Sequence, residues 1–342
     1  MKIDSRKRLR QLGLSLGVVG SLLLAGCAGP PGAPGVSEPG ENLTLEVYPA
    51  GIGLFYAPLL VAEQQGFFDE EGVDVTITPG GGGSSTVAAV VGGSADIGLV
   101  SLGTSGRAVV EGQDLIVISA ENDGLSLTVV VSKKLIGNSG VTKDSPLADK
   151  VALLKGQTIG VLDVGGSTGD FVRTVLEEGG LDEKSVTLLN IPQNAAQLVA
   201  LDTGRVGAII NTSPIVEQAE VDGTGEALIS PALDMPNLAG MHYILSVTKR
   251  DFAEKNGDAI KAYLRALQRS IDLMRDDPAT AEKAYFDYVK ESENAEPLDP
   301  GVQKLVWTNA SSHTPKSIVM TEAGFDLARD FFGLPAVVRH VG

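Results

Sequence analysis

The chain has 342 residues, 27 Lys and Arg against 43 Asp and Glu, a net charge of −16, and 43% apolar residues. That length suits two domains, the apolar fraction excludes wholesale disorder, and the acidic balance argues against a phosphate backbone, so no nucleic-acid partner is expected. One Cys and three scattered His residues (His242, His313 and His340) exclude a disulfide framework and an iron–sulfur cluster and argue against a metal site.

Residues 1–26 read as an export signal. Lys2, Arg6, Lys7, Arg8 and Arg10 form a basic start, and Leu12 to Ala25 follow as 14 uncharged residues. That run falls short of the roughly 20 residues a membrane span needs. It ends Leu24-Ala25-Gly26-Cys27, which resembles a bacterial lipobox. The resemblance implies that Cys27 receives a diacylglyceryl group and becomes the new N-terminus. Of residues 28–42, AGPPGAPGVSEPGEN, eight of fifteen are Gly or Pro, so 27–42 is expected to be a lipidated tether without helix or strand. Without the five basic and one acidic residues of 1–26, the remainder has 22 basic and 42 acidic residues, net −20. Such a body is repelled by anionic headgroups and is expected to work above the membrane.

Beyond the tether, apolar runs alternate with helical patterns. Strands are expected at Leu43–Tyr48, Val73–Thr78, Asp96–Val100 and Leu115–Ala120, with helices at Ala57–Gln65, Ser84–Val91 and Thr104–Glu111 between them. Gly66 is placed to stop the first helix. Ser126–Ser132 carries the chain into a second unit of the same kind. Its strands are Thr158–Leu162, Val186–Asn190 and Val206–Ile210, and its helices Ser167–Glu178, Ala195–Asp202 and Ile215–Val221. Met241–Val247 reads as a strand that crosses back, and four helices follow: Ala259–Arg275, Ala279–Lys290, Val302–Ser311 and Glu322–Phe332. The expected fold is α/β and two-lobed, each lobe a mostly parallel sheet flanked by helices. Residues 43–127 and 241–342 would build the first lobe and 128–240 the second. Ligands of such sheets sit beyond the carboxyl ends of the strands, which here would face each other like a clamshell.

The segments GIGLFYAPLLVAEQQGFFDEE (51–71) and GGSADIG (92–98) resemble those of the solute-binding lipoproteins of ABC importers, in the group for nitrate, taurine, alkanesulfonates and a thiamine pyrimidine precursor. The resemblance spans about residues 43–340. It implies a periplasmic-binding-protein-like clamshell of type II, a monomer without cofactor, lipid-anchored on the extracytoplasmic face of the membrane. Its partners would be a small polar solute, a permease and that permease's ATPase. Pyrimidine synthases that share this fold use a Cys cluster, and Cys27 alone does not supply one.

Candidate solute contacts follow from position past strand ends. Phe55 and Tyr56 offer aromatic faces, and Phe67 and Phe68 are assigned to the core. Ser84 and Ser85 after the Gly80–Gly83 turn, and Ser167 and Thr168 in the second unit, bring hydroxyls and free N–H groups at helix starts, which suit an anionic group. Ser101, Thr104, Glu121, Asn122, Gln193, Asn194 and Asn211 complete the set. Arg107 and Arg173 are the nearest arginines, each some residues into a helix, and the acids Glu121, Asp123 and Asp163 disfavour a bare anion. A sulfonate, nitrate or an amino-bearing pyrimidine all remain open. The alternative is an enzyme, since VLDVGGSTGD (161–170) resembles the first motif of S-adenosylmethionine-dependent methyltransferases. The next strand, however, ends Leu189-Asn190-Ile191-Pro192 without the carboxylate that binds ribose. No nucleophile–base set emerges, so no catalytic residue is expected.

Overall fold

The computed structural model describes residues 43–293, 298, 300–311 and 314–338. The export segment, Cys27 and the tether lie outside these residues, as do His313 and His340.

Four strands open the chain: β1 (Leu43–Pro49), β2 (Val73–Ile77), β3 (Ile97–Ser101) and β4 (Leu115–Ala120). In β1, Leu45 and Val47 point inward while Thr44 and Glu46 are exposed, the alternation of a half-buried strand. Every residue of β3 is buried, as befits a central strand covered on both faces. The next five strands are β5 (Thr128–Ser132), β6 (Thr158–Val161), β7 (Thr187–Asn190), β8 (Ala208–Asn211) and β9 (Gly225–Ile229), and β10 (Ile244–Lys249) comes last. They assemble as two sheets, ordered β2-β1-β3-β10-β4 and β7-β6-β8-β5-β9. The two orders correspond position by position. In each, the fourth strand has just crossed from the other sheet and runs antiparallel to both neighbours.

The crossovers, residues 121–127 and 230–243, lie side by side. Asp123 and His242 form an antiparallel bridge, the Gly124 N–H donates to the Met241 carbonyl at 2.7 Å, and the Glu121 N–H donates to the Ile244 carbonyl at 2.8 Å. Met241–Tyr243, expected within the return strand, belong to this crossover, and β10 starts three residues later. The edge strand β9 has no counterpart in the sequence expectation, because Gly225-Glu226 breaks its apolar run.

After β10 the helices Gly257–Asp276 and Pro278–Glu293 pack against the first-lobe helix Ala57–Gln64. Gly66 has φ 72°, the left-handed conformation a helix stop requires. Phe68 is buried and stacks on Tyr263, centroids 5.5 Å apart. Phe67 packs against the edge of the same core, half-buried, with the Arg269 guanidinium 4.4 Å from its ring centroid.

Candidate functional site

A cavity of about 570 Å³ lies between the two sheets. Its walls are the segments that leave the carboxyl ends of the parallel strands. Ala50–Gly53, Phe55 and Tyr56 follow β1, and Pro79, Gly80, Gly82 and Gly83 follow β2. Leu162, Asp163, Ser167 and Thr168 follow β6, Pro192–Ala195 follows β7, Asn211 ends β8 and Thr212 follows it. Leu127 and Tyr243 enter from the crossovers.

Three aromatic rings form one side. Phe55 meets Tyr243 edge to face, centroids 4.8 Å apart. Burial pushes the hydroxyls of Tyr56 and Tyr243 well above the ordinary tyrosine range, and at Tyr243 a bond to the Ser167 side chain partly opposes this. Both phenols therefore stay protonated and act as neutral donors. The Tyr285 hydroxyl donates to the Ile52 carbonyl at 3.0 Å, fixing the loop that brings Phe55 and Tyr56 in.

An amide network forms the other side. Asn211 is buried, and its Nδ2 donates to Asn194 Oδ1 at 3.0 Å and to Gln197 Oε1 at 3.1 Å, while its Oδ1 accepts from the Thr212 N–H. Its polar atoms are thus committed to the protein, and its role is to hold Asn194. Gln193 is exposed at the mouth.

The helices Gly83–Gly92 and Ser167–Glu178 both start at the cavity, and neither N-cap residue, Gly82 or Gly166, supplies a side-chain cap. Asp163 lies at these two starts. Its Oδ2 accepts from the Ser84 N–H of the facing lobe at 3.2 Å, and its Oδ1 accepts from the Gly165 N–H at 3.0 Å. Thr168 Oγ1 holds that turn by accepting from the Asp163 N–H and donating to the Asp163 carbonyl. Deeper out, Arg107 reaches across from the helix Leu102–Val110. It bonds Asp170 Oδ2 at 2.8 Å and the Gly165 carbonyl at 2.6 Å.

The other expected residues lie elsewhere. Ser84 and Ser85 are exposed and outside the lining; Ser85 donates to the Gly82 carbonyl and Ser84 contributes only its backbone N–H. Ser101 caps its helix by accepting from the Thr104 N–H, and both are buried away from the cavity. Glu121 and Asn122 sit behind Phe55, around a separate cavity of about 20 Å³. Glu121 Oε1 accepts from Ser119 at 2.8 Å and Ser246 at 2.6 Å, and burial raises its pKa against those bonds. Sequence reasoning misses Tyr243, Thr212 and Leu127 as lining residues. Each belongs to a crossover or lies just past a strand end without an obvious chemical signal.

Taken together, two matched α/β lobes joined by paired crossovers around an interlobe cavity define a protein of the periplasmic-binding-protein fold. The solved structures agree. A protein of Bordetella bronchiseptica RB50 is similar at 26% identity and TM-score 0.72, covering 85% of this chain and 89% of that one. The alkanesulfonate-binding protein SsuA of Xanthomonas axonopodis pv. citri, bound to MOPS, is similar in fold at 20% identity and TM-score 0.67, covering 87% and 96%. The chain belongs to the NMT1/THI5 like family, whose model matches residues 55–281. It is also 24% identical over 253 residues to the 4-amino-5-hydroxymethyl-2-methylpyrimidine phosphate synthase THI11 of Saccharomyces cerevisiae, 70% of this chain and 69% of that protein.

The methyltransferase alternative finds no support in this family or fold. Physically, the Gly-rich turn it rests on is folded around Asp163, and the end of β7 braces it, with the Val164 N–H donating to Asn190 Oδ1 at 3.3 Å.

Proposed function

We propose that this chain is an extracytoplasmic solute receptor. It would capture a small, neutral or weakly basic heterocycle of the aminopyrimidine type and present it to an ABC permease driven by its ATPase. The observation that carries the solute class is the chemistry of the cavity wall. Phe55, Tyr56 and Tyr243 supply aromatic surface, Gln193 and Asn194 supply amides, and Asp163 is the one charged side chain among the described lining residues. Aromatic faces suit a flat ring, and amides, phenols and a carboxylate suit its nitrogens and amino group. A sulfonate or nitrate would meet no Lys or Arg there. The pyrimidine in the names of the yeast relatives points to the same chemistry.

Closure by differential affinity is the mechanism: a solute touching both lobes favours the closed form, which the permease recognises. Residues 43–127 with 241–342 would act as one lobe and 128–240 as the other. The body would be a monomer tethered through lipid on Cys27. The leader-like residues 1–26 and a wall whose described residues include no His, Cys or Lys favour a receptor over a synthase.

Thermal unfolding with 4-amino-5-hydroxymethyl-2-methylpyrimidine, methanesulfonate and nitrate, followed by product analysis, tests this reading. A ligand at 100 times its Kd adds about 2.7 kcal/mol. The pyrimidine is expected to stabilise the protein and to be recovered unchanged. Stabilisation by methanesulfonate or nitrate alone would overturn the solute class, and steady product formation would overturn the receptor.

A further inference from the structure

The two helix starts at the cavity pose an electrostatic problem. Each helix N-terminus carries the equivalent of roughly half a positive charge, and uncapped N–H groups there are a ready anion site. The Gly83–Gly92 and Ser167–Glu178 helices have glycine N-cap residues that supply no side-chain cap, and Gly83 and Ser167 both line the cavity. Two such ends together supply about one positive charge. On that basis alone the cleft would favour an anion.

One carboxylate answers that charge. Asp163 comes from the second lobe, yet its Oδ2 accepts from the Ser84 N–H in the first turn of the first-lobe helix. Its Oδ1 accepts from the Gly165 N–H, in the turn that leads into the second helix. The fit is close and built for this group. A Cβ on Gly166 would lie 2.9 Å from Asp163 Oδ2, and one on Gly82, which has φ 120°, would lie 3.4 Å from Asp163 Cβ. The missing Cβ of Gly166 leaves room for the carboxylate, the facing Gly82 backbone lies in ordinary contact with it, and Thr168 Oγ1 fixes the residue from behind.

We propose that Asp163 is a resident counter-anion and the residue that sets solute charge in this cleft. It occupies the place at the converging helix starts that a sulfonate, nitrate or carboxylate would take, and leaves the cavity near electrical neutrality. An anionic solute must then either displace a held carboxylate or lie beside it. A neutral or weakly basic ring meets neither cost, and an amino group gains an acceptor. The inference rests on the proposed solute class and adds the residue that enforces it.

Calorimetric titration of wild type, Asp163→Asn and Asp163→Ser with methanesulfonate, nitrate and 4-amino-5-hydroxymethyl-2-methylpyrimidine separates the two claims. Both variants are expected to gain at least tenfold in affinity for methanesulfonate or nitrate over wild type, Asp163→Ser the more because Asn must turn its N–H₂ toward one of the two N–H groups, of Ser84 and Gly165, that Asp163 accepts from. Melting temperatures establish that the variants are folded. Folded variants that bind both anions no better than wild type overturn the counter-anion role, and the solute class survives if wild type still binds the pyrimidine. Anion binding gained by the variants while wild type ignores the pyrimidine upholds the role and removes the solute class. A second comparison needs no variant: wild type is expected to favour pyrimidine-5-methanol over pyrimidine-5-carboxylate by at least tenfold, and the reverse preference overturns the proposal.

Discussion

Arg107→Ala tests whether the contacts across the cleft mouth carry closure. The substitution removes the 2.8 Å bond to Asp170 Oδ2 and the 2.6 Å bond to the Gly165 carbonyl, both made from one lobe to the other. Hydrogen bonds to a charged group contribute about 1.5–3 kcal/mol when shielded. Here the Arg107 side chain is 37% exposed and Asp170 18%, so solvent screening brings the pair toward the surface value of about 0–1 kcal/mol. The carbonyl bond raises the combined estimate to about 1–2 kcal/mol of closed-state stability. If the empty protein rests open, that loss appears in the apparent Kd, a weakening of about 5- to 30-fold. Calorimetry gives the affinity, and small-angle scattering gives the radius of gyration with and without solute. Arg107→Lys keeps the charge but not the two-pronged geometry and is expected to fall between. An Arg107→Ala protein that binds within twofold of wild type, with an unchanged melting temperature, refutes the latch.

Three further outcomes are expected. Ser167→Ala loses one hydroxyl of the cavity wall, worth about 0.5–1.5 kcal/mol, together with its bond to the buried Tyr243 hydroxyl, and weakens solute binding severalfold with only a small drop in melting temperature; Thr168→Ala instead releases the Asp163 turn and chiefly lowers stability, by about 1 kcal/mol, and the same pair of measurements on each variant checks the split. Burial raises the pKa of Glu121 in the folded chain, so folding takes up a proton above the ordinary carboxylate range; wild-type stability must fall as pH rises through that raised pKa. Glu121→Gln keeps an oxygen for Ser119 and Ser246 without the charge, so its melting temperature should gain on wild type as pH rises, whereas parallel pH profiles would contradict the burial argument. Cys27→Ala is expected to leave the folded body unchanged and to release it from the membrane, and protein that stays membrane-bound after signal cleavage counts against lipidation.

Much of the architecture is legible from local pattern. Leu45 and Val47 alternate with Thr44 and Glu46, and Gly66 stops its helix with a left-handed turn. The rule that sites gather at the carboxyl ends of parallel strands leads directly to Phe55, Tyr56, Ser167, Thr168, Gln193, Asn194 and Asn211, which all line the cavity. It fails where backbone direction decides. Past Gly82, at φ 120°, the chain turns so that Ser84 and Ser85 face solvent. It also fails for Tyr243, since a crossover has no strand end to mark it. Arg107 and Asp170 are 63 positions apart and meet only because the two lobes face each other, so no local pattern couples them. The Asp163 carboxylate reads as an ordinary loop acid until the facing helix start is seen beside it.

The central claim is that an uncharged, nitrogen-bearing ring sits between the lobes. A crystal structure of the protein grown with 4-amino-5-hydroxymethyl-2-methylpyrimidine tests it most directly. The ring is expected in the interlobe cavity against Phe55, Tyr56 and Tyr243, with its nitrogens toward Asn194 and Asp163. A ring bound outside that cavity, or a cavity that takes up sulfate from the mother liquor beside an unmoved Asp163 while the pyrimidine is absent, would contradict the account.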